Sequence, residues 1–163
     1  LSQPDKVLAQ IIQDRLNLPT GRVVLYDQNF KAPSDKAIYV VISTGLDTII
    51  SNVNKFNNET KQQEQFLTMN TEYIVEITSQ DTSAKLRRHE VLMAINSNEA
   101  INKMEENNIR IFRTKTIQDL SFIEGRSSLH RYRIPVIINH IEIIKSDTSY
   151  YEEYQKPEVL IDE

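Results

Sequence analysis

The chain has 163 residues, 39% hydrophobic and 26% charged, a composition that suits one domain with a modest core and argues against wholesale disorder. It contains no Cys and only three Gly, which excludes disulfides, thiolate catalysis and Cys-ligated metal centres and leaves little for loops that wrap phosphate with bare backbone. No apolar run approaches the roughly 20 residues that cross a bilayer and nothing reads as a charged-then-apolar leader, so a soluble single-domain protein with no membrane partner is expected. The formal charge is −4, and its distribution is uneven. From Ser146 onward, Asp147, Glu152, Glu153, Glu158, Asp162 and Glu163 stand against Lys156 alone, so the tail carries −5 and the remainder +1. A neutral body lacks the basic face of a duplex-DNA binder. The tail, with Tyr150, Tyr151 and Tyr154 among its acids, reads as an extension that docks or stays mobile.

In chain order, Ser2, Pro4 and Asp5 mark a helix start, and Val7, Leu8, Ile11, Ile12 and Leu16 recur at helical spacing until Asn17-Leu18-Pro19 ends the run. Arg22 to Tyr26 is a short β-branched stretch. Ala37 to Thr44 predicts a central strand, and the alternation from Gly45 to Phe56 predicts another. Asn57 to Gln65 holds no apolar residue and predicts a projecting polar loop. Met69, Thr71, Tyr73, Val75 and Ile77 then alternate with polar positions, as in a strand with one covered face. Asp81-Thr82-Ser83 predicts a helix cap, with Leu86, Val91, Leu92 and Ile95 on the buried side and Lys85, Arg87 and Arg88 outward. Glu99 to Glu106 predicts a second helix with Ala100, Ile101 and Met104 inward. A strand is expected from Ile109 to Lys115, a connecting segment from Thr116 to Glu124, and a very long strand from Leu129 to Lys145. Pro135 within it demands an edge position or a bulge. The expected order, α-β-β-β-β-α-α-β-β, gives an α+β fold with helices packed on a mostly antiparallel sheet.

Candidate chemistry is sparse. His130 and His140 fall on one strand face about 33 Å apart, and His89 lies beside Glu90 without the four-residue spacing of paired helix ligands. No metal or cofactor site follows, and surface or interface histidines are expected. Asp-Thr-Ser occurs at Asp81 and again at Asp147. The triplet resembles an aspartic-protease loop, but the first copy reads as a cap and the second opens the acidic tail. Asn58-Glu59-Thr60 is formally a glycosylation sequon, of no consequence without a secretory signal. The basic residues are scattered, without the aromatic interleaving of single-strand binders. Arg131 and Arg133 stand out because they share one strand face, which favours an interface. In the long strand Ile134, Val136 and Ile138 face one way and Ile137, Ile141 and Ile143 the other, predicting burial on both sides, within the domain or against another subunit.

Over residues Pro4 to Lys145 the chain resembles the tail-terminator (neck or tail-completion) proteins of bacteriophages. The resemblance rests on element order: the opening helix, Tyr73-Ile74-Val75-Glu76-Ile77 before the Asp81-capped helix, and Ile117-Gln118-Asp119-Leu120-Ser121 before the strand at Arg131-Tyr132-Arg133-Ile134-Pro135. It implies residues 1–145 as a terminator-like domain and residues 146–163 as an acidic extension outside the pattern. It further implies a non-enzymatic virion protein, assembled in the host cytoplasm, that forms a six-fold ring. That ring would cap the tail tube, end its polymerisation and meet the head connector, with the sheath protein a further candidate partner and DNA passing unread through the lumen. On that basis Asn57, Asn58, Glu59, Lys61, Gln62, Gln63 and Glu64 are expected at the tube or lumen. Arg131 and Arg133 are expected between subunits, and Tyr150, Tyr151 and Tyr154 on a neighbour or the connector. A twelve-fold head-completion protein, a small ligand-binding domain or hydrolase, and a nucleic-acid accessory protein are the competing expectations.

Overall fold

The computed structural model describes residues 3–26, 31–112, 114, 116–124 and 127–147. Helix α1 (Pro4–Leu16) buries Val7, Leu8, Ile11, Ile12 and Leu16 as one stripe, with Pro4 in its first turn and Asp5 near its positive end. Gln3 is its N-cap and gives no side-chain bond; Ser2, expected to cap it, lies outside the described residues. Asn17, at φ 48°, takes the left-handed conformation that stops the helix, and the Leu18 N–H closes on the Gln13 carbonyl.

Strand β1 (Val23–Leu25) pairs in parallel with β2 (Tyr39–Asn57), which pairs antiparallel with β3 (Gln62–Ser79). After the helices α2 (Ser83–Ile95) and α3 (Asn98–Glu106), the short strands β4 (Arg110–Ile111), β5 (Gln118–Asp119) and β6 (Phe122–Glu124) all pair with β7 (Ser127–Asp147). β7 lies against β3 in unbroken register from His130 to Asp147. The sheet order is β1-β2-β3-β7-β4, and α1, α2 and α3 pack together over one face. The α+β architecture with a mostly antiparallel sheet is the expected one.

Several local expectations are corrected. The two strands predicted over residues 37–56 are one, continued through bulges between Thr44 and Asp47 and between Ile49 and Ser51. At the first bulge Gly45 lies so close to β3 that an added Cβ would sit 3.2 Å from the Glu72 carbonyl oxygen. The polar loop shrinks to a turn at residues 58–61, since Gln62 to Gln65 belong to β3 and pair across to β2 and β7. Thr116 to Glu124 is more than a connection, because β5 and β6 form within it. The described strand after α3 is only Arg110–Ile111, although the Phe112 N–H still reaches the Ile137 carbonyl. Leu86 and Ile101 are exposed, not buried; Val91 and Ile95 of α2 are buried as expected, and Ala84 and Ala94 join them. Arg87 does not simply face out, for its guanidinium donates to the Leu16 carbonyl and to Glu90.

Pro135 needs neither a true edge strand nor a bulge. It stands opposite Ile74 in regular register, and its carbonyl accepts from the Thr114 hydroxyl on the side away from β3. N–H and C=O of one strand residue point the same way, so the missing N–H belongs to the side where β5 has ended and β4 has not begun, and the β3 ladder loses nothing.

The core lies between the helices and one sheet face. Val40, Ile42, Tyr73, Val75, Ile77, Tyr132, Ile134, Val136 and Ile138 supply the sheet side, every second residue along each strand. The opposite face of β7 carries Ile137, Ile141 and Ile143, which remain 39–43% exposed; in the single chain they are not covered as the two-sided pattern predicted. Ile134→Ala should therefore cost about 2–5 kcal/mol, whereas Ile143→Ala should cost less than about 1 kcal/mol, read as shifts in the urea midpoint of the two variants.

Candidate interaction surface

Beyond the helix layer, β2, β3 and β7 run on together as a three-stranded arm. Cross-strand register sorts its residues onto two faces. The face away from the helices carries the rows Ser51–Thr68–Ile141, Val53–Phe66–Ile143 and Lys55–Glu64–Lys145. The other face carries Ile49–Met69–His140, Asn52–Leu67–Glu142 and Asn54–Gln65–Ile144. Large apolar side chains are exposed on both, including Ile49, Val53, Ile141, Ile143 and Ile144, as are Leu46 and Ile50 at the bulges of β2. A three-stranded sheet with water on both sides and apolar residues on both faces is a surface built for a partner.

At its tip the arm turns through residues 58–61. Asn57 Oδ1 accepts from the N–H groups of Glu59 (2.9 Å) and Thr60 (3.2 Å), and Lys61 takes φ 56° to close the turn. Asn57 Nδ2 donates to Glu64 Oε1 at 3.2 Å, and Lys145 Nζ lies 3.1 Å from the same oxygen. Lys145 and Asn57 together hold the Glu64 carboxyl below the usual carboxylate range. Lys55 sits 5.3 Å above the Phe66 ring. Of the expected contact residues, Asn57, Asn58, Glu59, Lys61, Gln62, Gln63 and Glu64 thus gather at one end of the arm.

Arg131 and Arg133 lie far from that tip, near the other end of β7. Both guanidiniums close on Glu76 of β3: Arg133 donates to Oε1 from Nε (3.0 Å) and Nη2 (2.9 Å), and Arg131 donates to Oε2 from Nε (3.0 Å) and from Nη2. Burial pushes the Glu76 carboxyl up, but the two guanidiniums outweigh it and hold the group below its usual range. About 38% of each arginine side chain stays at the surface, against 14% for Glu76, so the cluster presents excess positive charge. Tyr150, Tyr151 and Tyr154 lie outside the described residues.

Where the arm leaves the body, three side chains from three strands join. Thr71 Oγ1 donates to Asp47 Oδ1 at 2.6 Å and lies 2.9 Å from His140 Nε2. A hydroxyl has one proton; with Asp47 taking it, His140 must be the donor in the second contact. His140 is therefore no base toward Thr71, and the array is a lateral tie, not an activated nucleophile. His140 is buried within the single chain, where a surface or interface histidine was expected; His89 is exposed and His130 half-buried. Burial, with Asp5, Asp47 and Glu142 nearby, pushes the Tyr73 phenol up to about 12, so it stays protonated. Among the described residues, no group of three or more His, Asp and Glu is placed to hold a metal ion.

Sequence reasoning missed Asp47, Thr71 and Glu76. Glu76 carried a usable signal, an acid between Ile74 and Thr78 on one strand face. The tie carried none, since Asp47 meets Thr71 only through the bulge.

No family model matches the sequence, and no curated protein matches it either. Among solved structures, the chain is similar to the sheath/tube terminator of an extracellular contractile injection system in its extended state, at 12% identity and TM-score 0.44. That likeness covers 99% of this chain and 66% of the other, so the chain spans just under two thirds of that protein's length. It is also similar to a chain of the virion of a native gene transfer agent particle, at 7% identity and TM-score 0.37, covering 83% of this chain and 92% of that one.

Two measurements test the polar contacts. Thr71→Val leaves the buried His140 without its partner, while the exposed Asp47 can turn to water, and should cost about 1–3 kcal/mol in urea unfolding. For Glu76, a carboxyl whose folded pKa is depressed contributes stability above its unfolded pKa and loses it as pH falls through the folded value. Glu76→Gln should be less stable than the native chain at pH 7, and the gap should narrow as the pH is lowered below the ordinary Glu range.

Proposed function

We propose that this chain is a non-enzymatic structural subunit of a phage-like tail, a terminator whose copies close into a six-fold ring. The ring caps the tail tube, stops its polymerisation and joins the tail to the head connector, with the sheath protein a further neighbour in contractile tails. The observation that carries the reading is the arm: a sheet extended past its own core, apolar on both faces and ending in a polar turn. Such a surface has no use in a monomer with a closed pocket and is suited to repeated contact between copies and with a tube. Leu120, Phe122 and Ile123, at the far end of β7, are exposed as well, which gives each copy apolar contact surface at both ends of its longest strand. The tail-terminator resemblance in element order supplies the family.

The charge pattern is compatible with DNA sliding through the lumen. The body is near neutral overall, so its cations are balanced by acids and do not form the strongly basic face that would anchor phosphates, each of which would add affinity and drag. The turn at residues 58–61 and the adjoining Gln62 to Glu64 make the contact with the tube end. The acidic extension, with Tyr150, Tyr151 and Tyr154, docks on a neighbouring copy or on the connector.

Negative-stain electron microscopy of the purified protein, alone and mixed with tail tubes, tests this. Six-fold rings or capped tube ends are expected. Replacing residues 58–61 by Asn-Gly should preserve folding, judged by circular dichroism, and abolish capping. Twelve-fold rings would move the protein to the head side of the neck, and monomers indifferent to tubes would end the terminator reading.

A further inference from the structure

The arm ends in two open edges. Among the described residues, no strand pairs with the outer side of β2 beyond Ile42, and none pairs with the outer side of β7 beyond Asn139. The backbone phase of each edge can be followed from its paired portion. In β7 the carbonyls of Arg131, Pro135 and Ile137 accept from the Leu120 N–H, the Thr114 hydroxyl and the Phe112 N–H. Odd-numbered residues therefore turn N–H and C=O away from β3, and the unbroken register carries that phase to Ile141, Ile143 and Lys145. In β2 the Val40 N–H donates to Arg22 and the Ile42 carbonyl accepts from Tyr26. Carried through the two bulges, this phase turns the backbone of Asn52 and Asn54 outward.

These phases fit each other. In a parallel ladder, a residue with both backbone groups facing its neighbour bonds to the two residues flanking the one opposite. Ile143, facing outward, could bond Asn52 and Asn54 of another strand while standing opposite Val53. Both Ile143 and Val53 carry their side chains on the face away from the helices, as one sheet requires. The directions agree too: β2 and β7 are each antiparallel to β3 and so parallel to one another, and a like-oriented second copy offers β2 to β7 in the parallel sense. Beside the β7 edge runs a groove of about 710 Å³, lined in part by Phe66, Ile141, Ile143, Met104 and Ile109, which leaves room for the incoming strand.

We propose that the open edge of β7 takes β2 of a second copy as a parallel strand, with Ile143 opposite Val53. The row Val53–Phe66–Ile143 then runs on from copy to copy. A second copy is the occupant, and not an unrelated peptide, because a peptide on β7 would leave the equivalent edge of β2 open, whereas copies laid side by side satisfy both. The edges differ, so the contact is heterologous and each copy gives and receives once. That such a chain of copies closes into a ring rests on the terminator reading above; the edge pairing does not.

The chain has no Cys, so single-Cys variants mixed in pairs report individual contacts. Treated with a short bis-maleimide, free at high concentration and on capped tubes, Val53→Cys with Ile143→Cys and Ser51→Cys with Ile141→Cys should give covalent dimers. Ser51→Cys with Lys145→Cys, the antiparallel pairing, should not. Ile143→Pro removes an outward N–H as Pro135 does, sparing the β3 ladder. Placed in the Ser51/Ile141 pair, it should cut cross-linking at least ten-fold while the unfolding temperature stays near that of the parent. Dimers from Ser51→Cys with Lys145→Cys, undiminished dimers with Ile143→Pro, or neither expected dimer in either setting would overturn the pairing. Rings seen without these dimers would overturn it and leave the terminator reading standing. Dimers in open chains that never cap a tube would do the reverse.

Discussion

The sheet is far longer than the helices that cover it, and most of the structure follows from that mismatch. β2, β3 and β7 have 19, 18 and 21 residues, so each extends about 60 Å. α1 and α2 have 13 residues each, about 20 Å. Under the helices the strands behave as in any two-layer domain, with alternate residues buried to near zero exposure and the others facing water. Past the helices no described element covers either face, yet the apolar residues continue. β3 keeps the extension in one piece, because among the described strands it is the one paired on both sides along almost its whole length.

The boundary between covered and uncovered sheet is where the irregular features gather. The first bulge of β2, the close approach of Gly45 to Glu72, and the tie through Asp47, Thr71 and His140 all lie there. Bulges add twist and bend to the strand that carries them, so the arm leaves the body on a new course, and the three-residue tie fixes β2, β3 and β7 laterally at that point. On the face without helices, polar side chains joined across strands replace packing. Glu76 with Arg131 and Arg133, Asn70 with Asn139, and Glu64 with Lys145 each couple β3 to β7. Cross-strand contacts of this kind are individually modest; their value here is to pin register where no core does so.

What could be read from the residues follows the range of the interactions. The stripe of α1 and the alternation from Met69 to Ile77 are local patterns with a local cause, and both hold. Asn57 to Gln65 misled because polarity was taken for a loop, whereas a strand exposed on both faces can be polar throughout. Leu86 and Ile101 misled for the opposite reason, as apolar residues at helical spacing that the single chain does not cover. Pro135 required knowing where β5 ends and β4 begins, which no spacing within β7 contains. The pairing of Glu76 with two arginines more than fifty positions away depends on register, and register was invisible until β3 and β7 were laid side by side.

Unpaired edges with apolar faces are ordinarily a hazard, since any extended chain can add to them. Two features limit the hazard here. Leu46 and Ile50 sit at the bulges of β2, where the ladder is broken and regular pairing cannot run, which leaves only the stretch after Ile50 fit to pair. Lys55 and Lys145 flank Glu64 in one row, two rows short of the turn; in the proposed pairing Lys145 of one copy stands opposite Lys55 of the next, and direct apposition of like charges is unfavourable in a sheet unless each is otherwise engaged. Glu64 engages Lys145, and the Phe66 ring engages Lys55. A partner strand must therefore arrive over a short span and in a register that keeps those contacts. A foreign strand meets the same bulges and charges without the matching row of Val53, Phe66 and Ile143. The bulges and the charged row thus narrow what these edges can accept, and the row of Val53, Phe66 and Ile143 is what the proposed pairing of copies adds.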